Sequence, residues 1–128
     1  MMKLTGKIIQ AVPRTKSEKT KLQRLKVILE KYNFAPNSFE PDNFEARTAE
    51  QELQFLSESD VIIIDLSHER PSCYYELALA EIAQRPTIVF ASVGTEIFQK
   101  SPLTNVHFYS SDSDFLNTVE KFLSGLPK

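Results

Sequence analysis

The chain has 128 residues, 41% of them hydrophobic and 25% charged, with a formal net charge of −2. That length fits one domain able to bury about two-thirds of its unfolded surface, and the near-neutral balance supplies no overall attraction to nucleic acid. One cysteine, Cys73, no apolar run of membrane-spanning length and no signal-peptide pattern at the start predict a cytoplasmic protein with no membrane partner and no disulfide.

The glycines, Gly6, Gly94 and Gly125, are too few and too scattered for a P-loop or a GxGxxG turn. Residues 7–12 read as a first strand, closed by Pro13. Thr15 or Ser17 can cap an amphipathic helix over residues 17–32, with Leu22, Leu25, Ile28, Leu29 and Tyr32 on its buried stripe. Residues 33–43, with Pro36 and Pro41, predict a short, weakly specified second strand and a loop. A second helix is expected over residues 44–57, with Ala46, Ala49, Leu53 and Leu56 facing the core and Glu52 at its margin. Residues 14–31 carry seven basic side chains against two acidic, and residues 40–60 seven acidic against one basic. Two solvated helix faces of opposite sign explain both.

Residues 61–65 form an apolar run ending in Asp65, as in a strand buried on both faces with a carboxylate at its C-terminal rim. Pro71-Ser72 opens a third helix, with Ser72 as N-cap, Glu76 in the first full turn, and Leu77, Ala80 and Ile82 at helical spacing. A fourth strand is predicted over residues 86–92, a helical turn at residues 96–100 and a fifth strand over residues 106–109. The last helix, residues 111–123, begins with Ser111 and Asp114 as a capping-box pair, carries Phe115, Val119, Phe122 and Leu126 as its stripe, and stops at Gly125. This alternation predicts an α/β fold, a single-domain doubly wound five-stranded parallel sheet of flavodoxin-like (Rossmann-like) order 2-1-3-4-5.

In such a sheet the crevice beyond the strand C-termini collects the helix N-termini, so Asp65 and Glu76 are expected to face one cleft. A carboxylate near a helix N-terminus suits a nucleophile or an electrostatic stabiliser. Asp65 admits two readings, a site carboxylate or a brace for the amides around Ser67 and His68. Arg14, Lys16 and Ser17 lie after the first strand, where a phosphate can rest against a helix N-terminus. Ser72 and Tyr75 are candidate substrate contacts beside Glu76, with one of the adjacent Tyr74 and Tyr75 facing the cleft. His68 and Cys73 lack a third orienting group, and His68 and His107 lie in separate segments, so neither thiol catalysis nor a metal is expected, and no cofactor.

At these residues the chain resembles the nucleoside 2-deoxyribosyltransferase-like superfamily, which includes nucleotide N-glycoside hydrolases and borders on TIR-like domains. The resemblance rests on Ser59-Asp60-Val61-Ile62-Ile63-Ile64-Asp65-Leu66-Ser67 and on Arg70-Pro71-Ser72-Cys73-Tyr74-Tyr75-Glu76-Leu77. Many relatives read Tyr-Glu-Leu-Gly at the end of that run, where this chain has Ala78. The resemblance implies Glu76 as nucleophile and Glu52, eight residues before Asp60, as the paired acid, with Asp65 as the other candidate. It further implies a nucleoside, deoxynucleoside or 5′-monophosphate substrate and a homodimer or larger assembly in which a neighbouring copy closes the cleft. Relatives carry a glycine and an aromatic residue after the first strand, where this chain has Ala11-Val12-Pro13-Arg14. That difference keeps two alternatives in view: a nucleotide-binding or TIR-like signalling module without catalysis, and a TIR-like enzyme that cleaves NAD.

Overall fold

The computed structural model describes residues 4–10, 13–38, 49–67, 71–97 and 105–126, with backbone alone at 38, 49 and 71–76. Five strands, β1 (Leu4–Ile9), β2 (Phe34–Ser38), β3 (Val61–Asp65), β4 (Thr87–Ser92) and β5 (Val106–Tyr109), form one parallel sheet of order β2-β1-β3-β4-β5. Four helices join them: α1 (Lys16–Lys31), α2 (Ala49–Ser57), α3 (Pro71–Ala83) and α4 (Asp112–Ser124). The predicted class and order are those observed.

β3 is the axis of the fold. All five of its residues are buried, and it pairs with β1 on one side and β4 on the other. A strand covered on both faces needs apolar side chains in both directions, which is why Val61-Ile62-Ile63-Ile64 does not alternate. Val61 and Ile63 pack under α1 and α4 with Leu25, Leu29, Phe90, Phe115 and Val119. Ile62 and Ile64 pack under α2 and α3 with Leu56, Leu77 and Ala80. At the far rim Asp60 accepts a 2.7 Å hydrogen bond from the Thr5 amide, and Arg85 donates to the Ser59 carbonyl at 2.7 Å, which fixes where β3 enters the sheet.

Several boundaries differ from the sequence reading. β1 starts at Leu4, three residues earlier than expected, and takes in Gly6. A Cβ there would lie 3.0 Å from Leu29 Cδ2, so the missing side chain lets α1 lie close over the strand. Thr15, not Ser17, caps α1, closing a full capping box with Glu18. Pro36 is tolerated because β2 is an edge strand. The most consequential shift is at α3, which opens at Pro71, so Ser72 lies inside the helix and is not its N-cap. Proline suits the first helical position because its missing N–H has no intrahelical partner to lose. Glu76 is then the sixth helical residue, and no acid occupies the first turn. α4 begins as expected at Ser111, whose Oγ accepts from the Asp114 amide at 3.1 Å, but the Asp114 carboxylate returns to the Ser110 amide and the box is only half made. The helical turn expected at residues 96–100 falls largely outside the described residues.

Candidate active site

The C-terminal rim of the sheet has two sides, and the candidate residues divide between them. Alternation along β3 settles the first division. Asp65 shares a face with Val61 and Ile63, so its side chain turns toward α1 and α4, away from the helix that carries Glu76. There its Oδ2 accepts from Lys21 Nζ at 2.8 Å and from the Tyr109 hydroxyl at 2.8 Å, and its Oδ1 accepts from the Ser67 amide at 2.9 Å. The bracing reading of Asp65 therefore holds for Ser67, and a lysine and a tyrosine are added to it.

Lys21 and Tyr109 were not among the residues singled out in the sequence. Lys21 leaves α1 with its side chain only 14% exposed, and its ammonium also donates to Tyr109 at 2.8 Å. It lies 4.7 Å and 4.8 Å from the ring centres of Tyr109 and Phe115. Burial alone pulls the Lys21 ammonium down, but the Asp65 carboxylate and the Tyr109 hydroxyl outweigh it and hold its pKa above the ordinary lysine value. Burial, reinforced by the Asp65 charge, raises the Tyr109 phenol as well, against the hydrogen bonds it receives from Lys21 and Ser67. A signal for Lys21 was present: it precedes the two most buried leucines of α1, Leu25 and Leu29, by one and two i+4 steps.

Beside this network lies a cleft of about 610 Å³, lined in part by Ser17, Glu18, Lys21, Ser92, Tyr109 and Ser111. Arg14, Lys16 and Ser17, expected to hold a phosphate, are exposed at the start of α1. The amides of Arg14 and Thr15 already donate to Glu18 Oε2, at 2.7 Å and 3.2 Å, so a carboxylate of the chain itself sits at that helix start.

On the other side of the rim, α2 packs against α3. Glu52 was expected at the core margin and is instead buried, 8% exposed, one helical step from the fully buried Leu56. Residues four apart share a face, so the i, i+4 pair Glu52 and Leu56 turns inward while Leu53 packs only partly buried. Phe55 on the same helix lies under the Lys7 ammonium, 4.7 Å from its ring centre, and Lys7 is itself buried in β1. Ser72, Tyr75 and Glu76 lie on the α3 backbone, and their side chains fall outside the described part of the structure. Among the described residues no group of His, Cys, Asp and Glu is arranged to hold a metal ion, and no helix is long and apolar enough to cross a membrane.

No protein-family profile and no curated protein sequence matches the chain. A solved structure does: the CMP N-glycosidase BcmB of Clostridium botulinum superposes with a TM-score of 0.66, over 90% of this chain and 98% of that one, at 16% identity. The chain shares its fold with an N-glycosidase. At that identity the likeness is one of architecture, the five-stranded α/β architecture that the alternation of strands and helices predicts.

Proposed function

We propose that the protein cleaves the N-glycosidic bond of a nucleoside or a nucleoside 5′-monophosphate, with Glu76 as nucleophile and Glu52 as the second carboxylate. The observation that carries this reading is Glu52, a carboxylate buried on α2 where that helix packs against α3, the helix of Glu76. A buried carboxylate is held by the groups around it, and at the contact of α2 with α3 this one is placed to serve a nucleophile on α3. The fold shared with a CMP N-glycosidase over 90% of the chain supports the same chemistry and makes CMP the first substrate to try. Asp65 is the weaker partner for Glu76, since both of its oxygens are engaged by Lys21, Tyr109 and Ser67.

In this mechanism the Glu76 carboxylate forms a bond to the anomeric carbon as the C–N bond breaks, and the electron pair leaves with the base. Glu52 in its acid form gives the base a proton, then as a carboxylate takes one from the water that hydrolyses the glycosyl ester. Retention in two displacements asks for the two carboxyl groups about 5 Å apart. Glu76 stands in the second turn of α3, beyond the reach of most of the helix dipole, so its reactivity rests on its neighbours more than on the helix end. The reading includes a cytoplasmic homodimer or larger assembly with a second copy closing the cleft, and a single-subunit mass in sedimentation would remove that part of it.

The test is chromatography for released base after incubation with CMP, dCMP, other 5′-monophosphates, free nucleosides and NAD. Release from a pyrimidine monophosphate is expected, and Glu76→Gln is expected to abolish it while retaining ligand binding. Binding without release from any of these compounds would replace the proposal with a nucleotide-binding or signalling module. Release of nicotinamide alone would make the protein an NAD-cleaving enzyme.

A further inference from the structure

The network around Asp65 joins four elements at their ends nearest the cleft. Lys21 comes from α1, Asp65 and Tyr109 are the last residues of β3 and β5, and Ser67 follows β3. Ser67 Oγ lies 2.9 Å from the Tyr109 hydroxyl and accepts from the Ser92 amide, at the end of β4, at 2.6 Å. The Leu66 amide donates to the Phe90 carbonyl at 2.7 Å.

The protons in this network have one consistent order. An ammonium only donates and a carboxylate only accepts, so Lys21 supplies protons to Asp65 and Tyr109. The single phenolic proton of Tyr109 points to Asp65. Ser67 Oγ already accepts from Ser92, so its own proton goes to Tyr109, whose oxygen thereby accepts twice. The Tyr109 hydroxyl has its donor and both lone pairs engaged, and the chain of bonds ends on Asp65. A satisfied network of this kind rigidifies what it touches. What it touches is the beginning of the connection to α3: Leu66 and Ser67 are held at three backbone or side-chain points, four residues before Pro71 opens the helix that carries Glu76.

We infer that Lys21 and Tyr109 are positioning residues for the reaction: from the far side of the sheet they clamp Leu66 and Ser67, where the chain leaves β3, and so help set where α3 and Glu76 stand. This rests on the glycosidase reading above. It assigns the pair no contact with substrate, and it gives the Asp65 end of the motif a role distinct from acid catalysis. A nucleophile displaced by a fraction of an ångström loses rate before it loses affinity, because alignment in the transition state is more demanding than binding.

The deciding variant is Tyr109→Phe, which removes one oxygen and keeps the ring that packs on Phe115 at 5.1 Å between centres. Base release should fall about tenfold in kcat, with KM within about twofold of the wild type. Amide exchange at Leu66, Ser67 and Ser92 should rise about tenfold while β1 and the body of α1 keep their protection. Ser67→Ala, which cuts the same network at a smaller side chain, should move both readouts in the same direction. Tyr32→Phe serves as the control, since its hydroxyl donates to Glu120, at 3.2 Å, away from the Asp65 network, and it should change neither. Unchanged kcat in both Tyr109→Phe and Ser67→Ala would overturn the inference, as would exchange that rises evenly over the whole sheet. An inactive wild type overturns the glycosidase reading itself, whereas an active wild type with fully active variants overturns only the positioning role.

Discussion

The two sides of the sheet's C-terminal rim each bury a carboxylate, and they differ in which elements pack around it. Toward α1 and α4, Asp65 meets an ammonium, a phenol and an amide, and its charge is compensated on the spot. Toward α2 and α3, Glu52 is buried to a similar degree in a helix whose neighbour carries another acid, Glu76. The first arrangement locks a backbone turn. The second sets Glu52 on a helix that packs against the one carrying Glu76, the arrangement from which the proposed two-carboxylate chemistry starts. A motif read along one stretch of sequence therefore splits by the parity of a strand: Asp65 belongs to one side, and the helix that follows it lies on the other.

That division makes opposite predictions for the two sides. Glu76→Gln should lower base release by at least about a thousandfold with little change in stability, because it removes a nucleophile and keeps the volume. Steady-state kinetics alongside urea unfolding would reveal the contrast. Lys21→Met should behave in the reverse sense, destabilising the fold by about 3 kcal/mol because it leaves Asp65 buried beside a methionine. Asp65→Asn combined with Lys21→Met should recover part of that loss, since neither partner then lacks its counter-charge. A Lys21→Met protein as stable as the wild type would mean that the two sides of the rim do not differ as described.

The same pair gives stability a pH signature. Both Lys21 and Tyr109 hold their protons more tightly in the folded protein than ordinary lysine and tyrosine do. Their contribution is thus fully present below the unfolded pKa values, near pH 10, and declines as pH rises toward the folded ones, because the unfolded chain releases those protons first. Urea midpoints measured from neutral pH to about pH 11 should fall at the alkaline end. The fall should be shallower in Lys21→Met and in Tyr109→Phe, and equal slopes in all three proteins would place the alkaline sensitivity elsewhere.

The architecture was legible because it follows from period and run length. An unbroken apolar run defined β3, and the 3.6-residue stripes of α1 and α4 named Leu25, Leu29, Phe115 and Val119, all of them buried. The site was legible only where chemistry stays local in sequence. Asp65 bracing Ser67 two residues on could be read, whereas Tyr109 reaches Asp65 across 44 residues and no short spacing announces it. Lys21 was left among the solvated basic residues of its helix and Glu52 was placed only at the core margin, although each stands four residues before a fully buried leucine, Leu25 and Leu56. Charge overrode geometry in the reading, while packing decided it in the protein. Ser72 was given the cap because serine is a good one, yet the proline before it already satisfies the first helical position.

The smallest expected effect is at a second ion pair on the same face. Lys31 on α1 and Glu120 on α4 are joined by a hydrogen-bonded salt bridge at the opposite end of the helix pair from Lys21, and the Tyr32 hydroxyl adds to it. The side chain of Lys31 is 63% exposed, against 14% for that of Lys21. The Lys31 hydrogen bond lowers the Glu120 carboxyl from its ordinary value, so any stabilisation it gives is present above the unfolded carboxylate range and fades as pH falls through the folded pKa. Water and salt screen such a pair, and holding two long side chains together costs entropy that offsets much of the attraction. Glu120→Gln should therefore leave the thermal midpoint unchanged within error at physiological ionic strength. If Glu120→Gln instead destabilised the protein as much as Lys21→Met does, burial would not be what separates the two pairs, and the rim network would lose its distinction from an ordinary contact between α1 and α4.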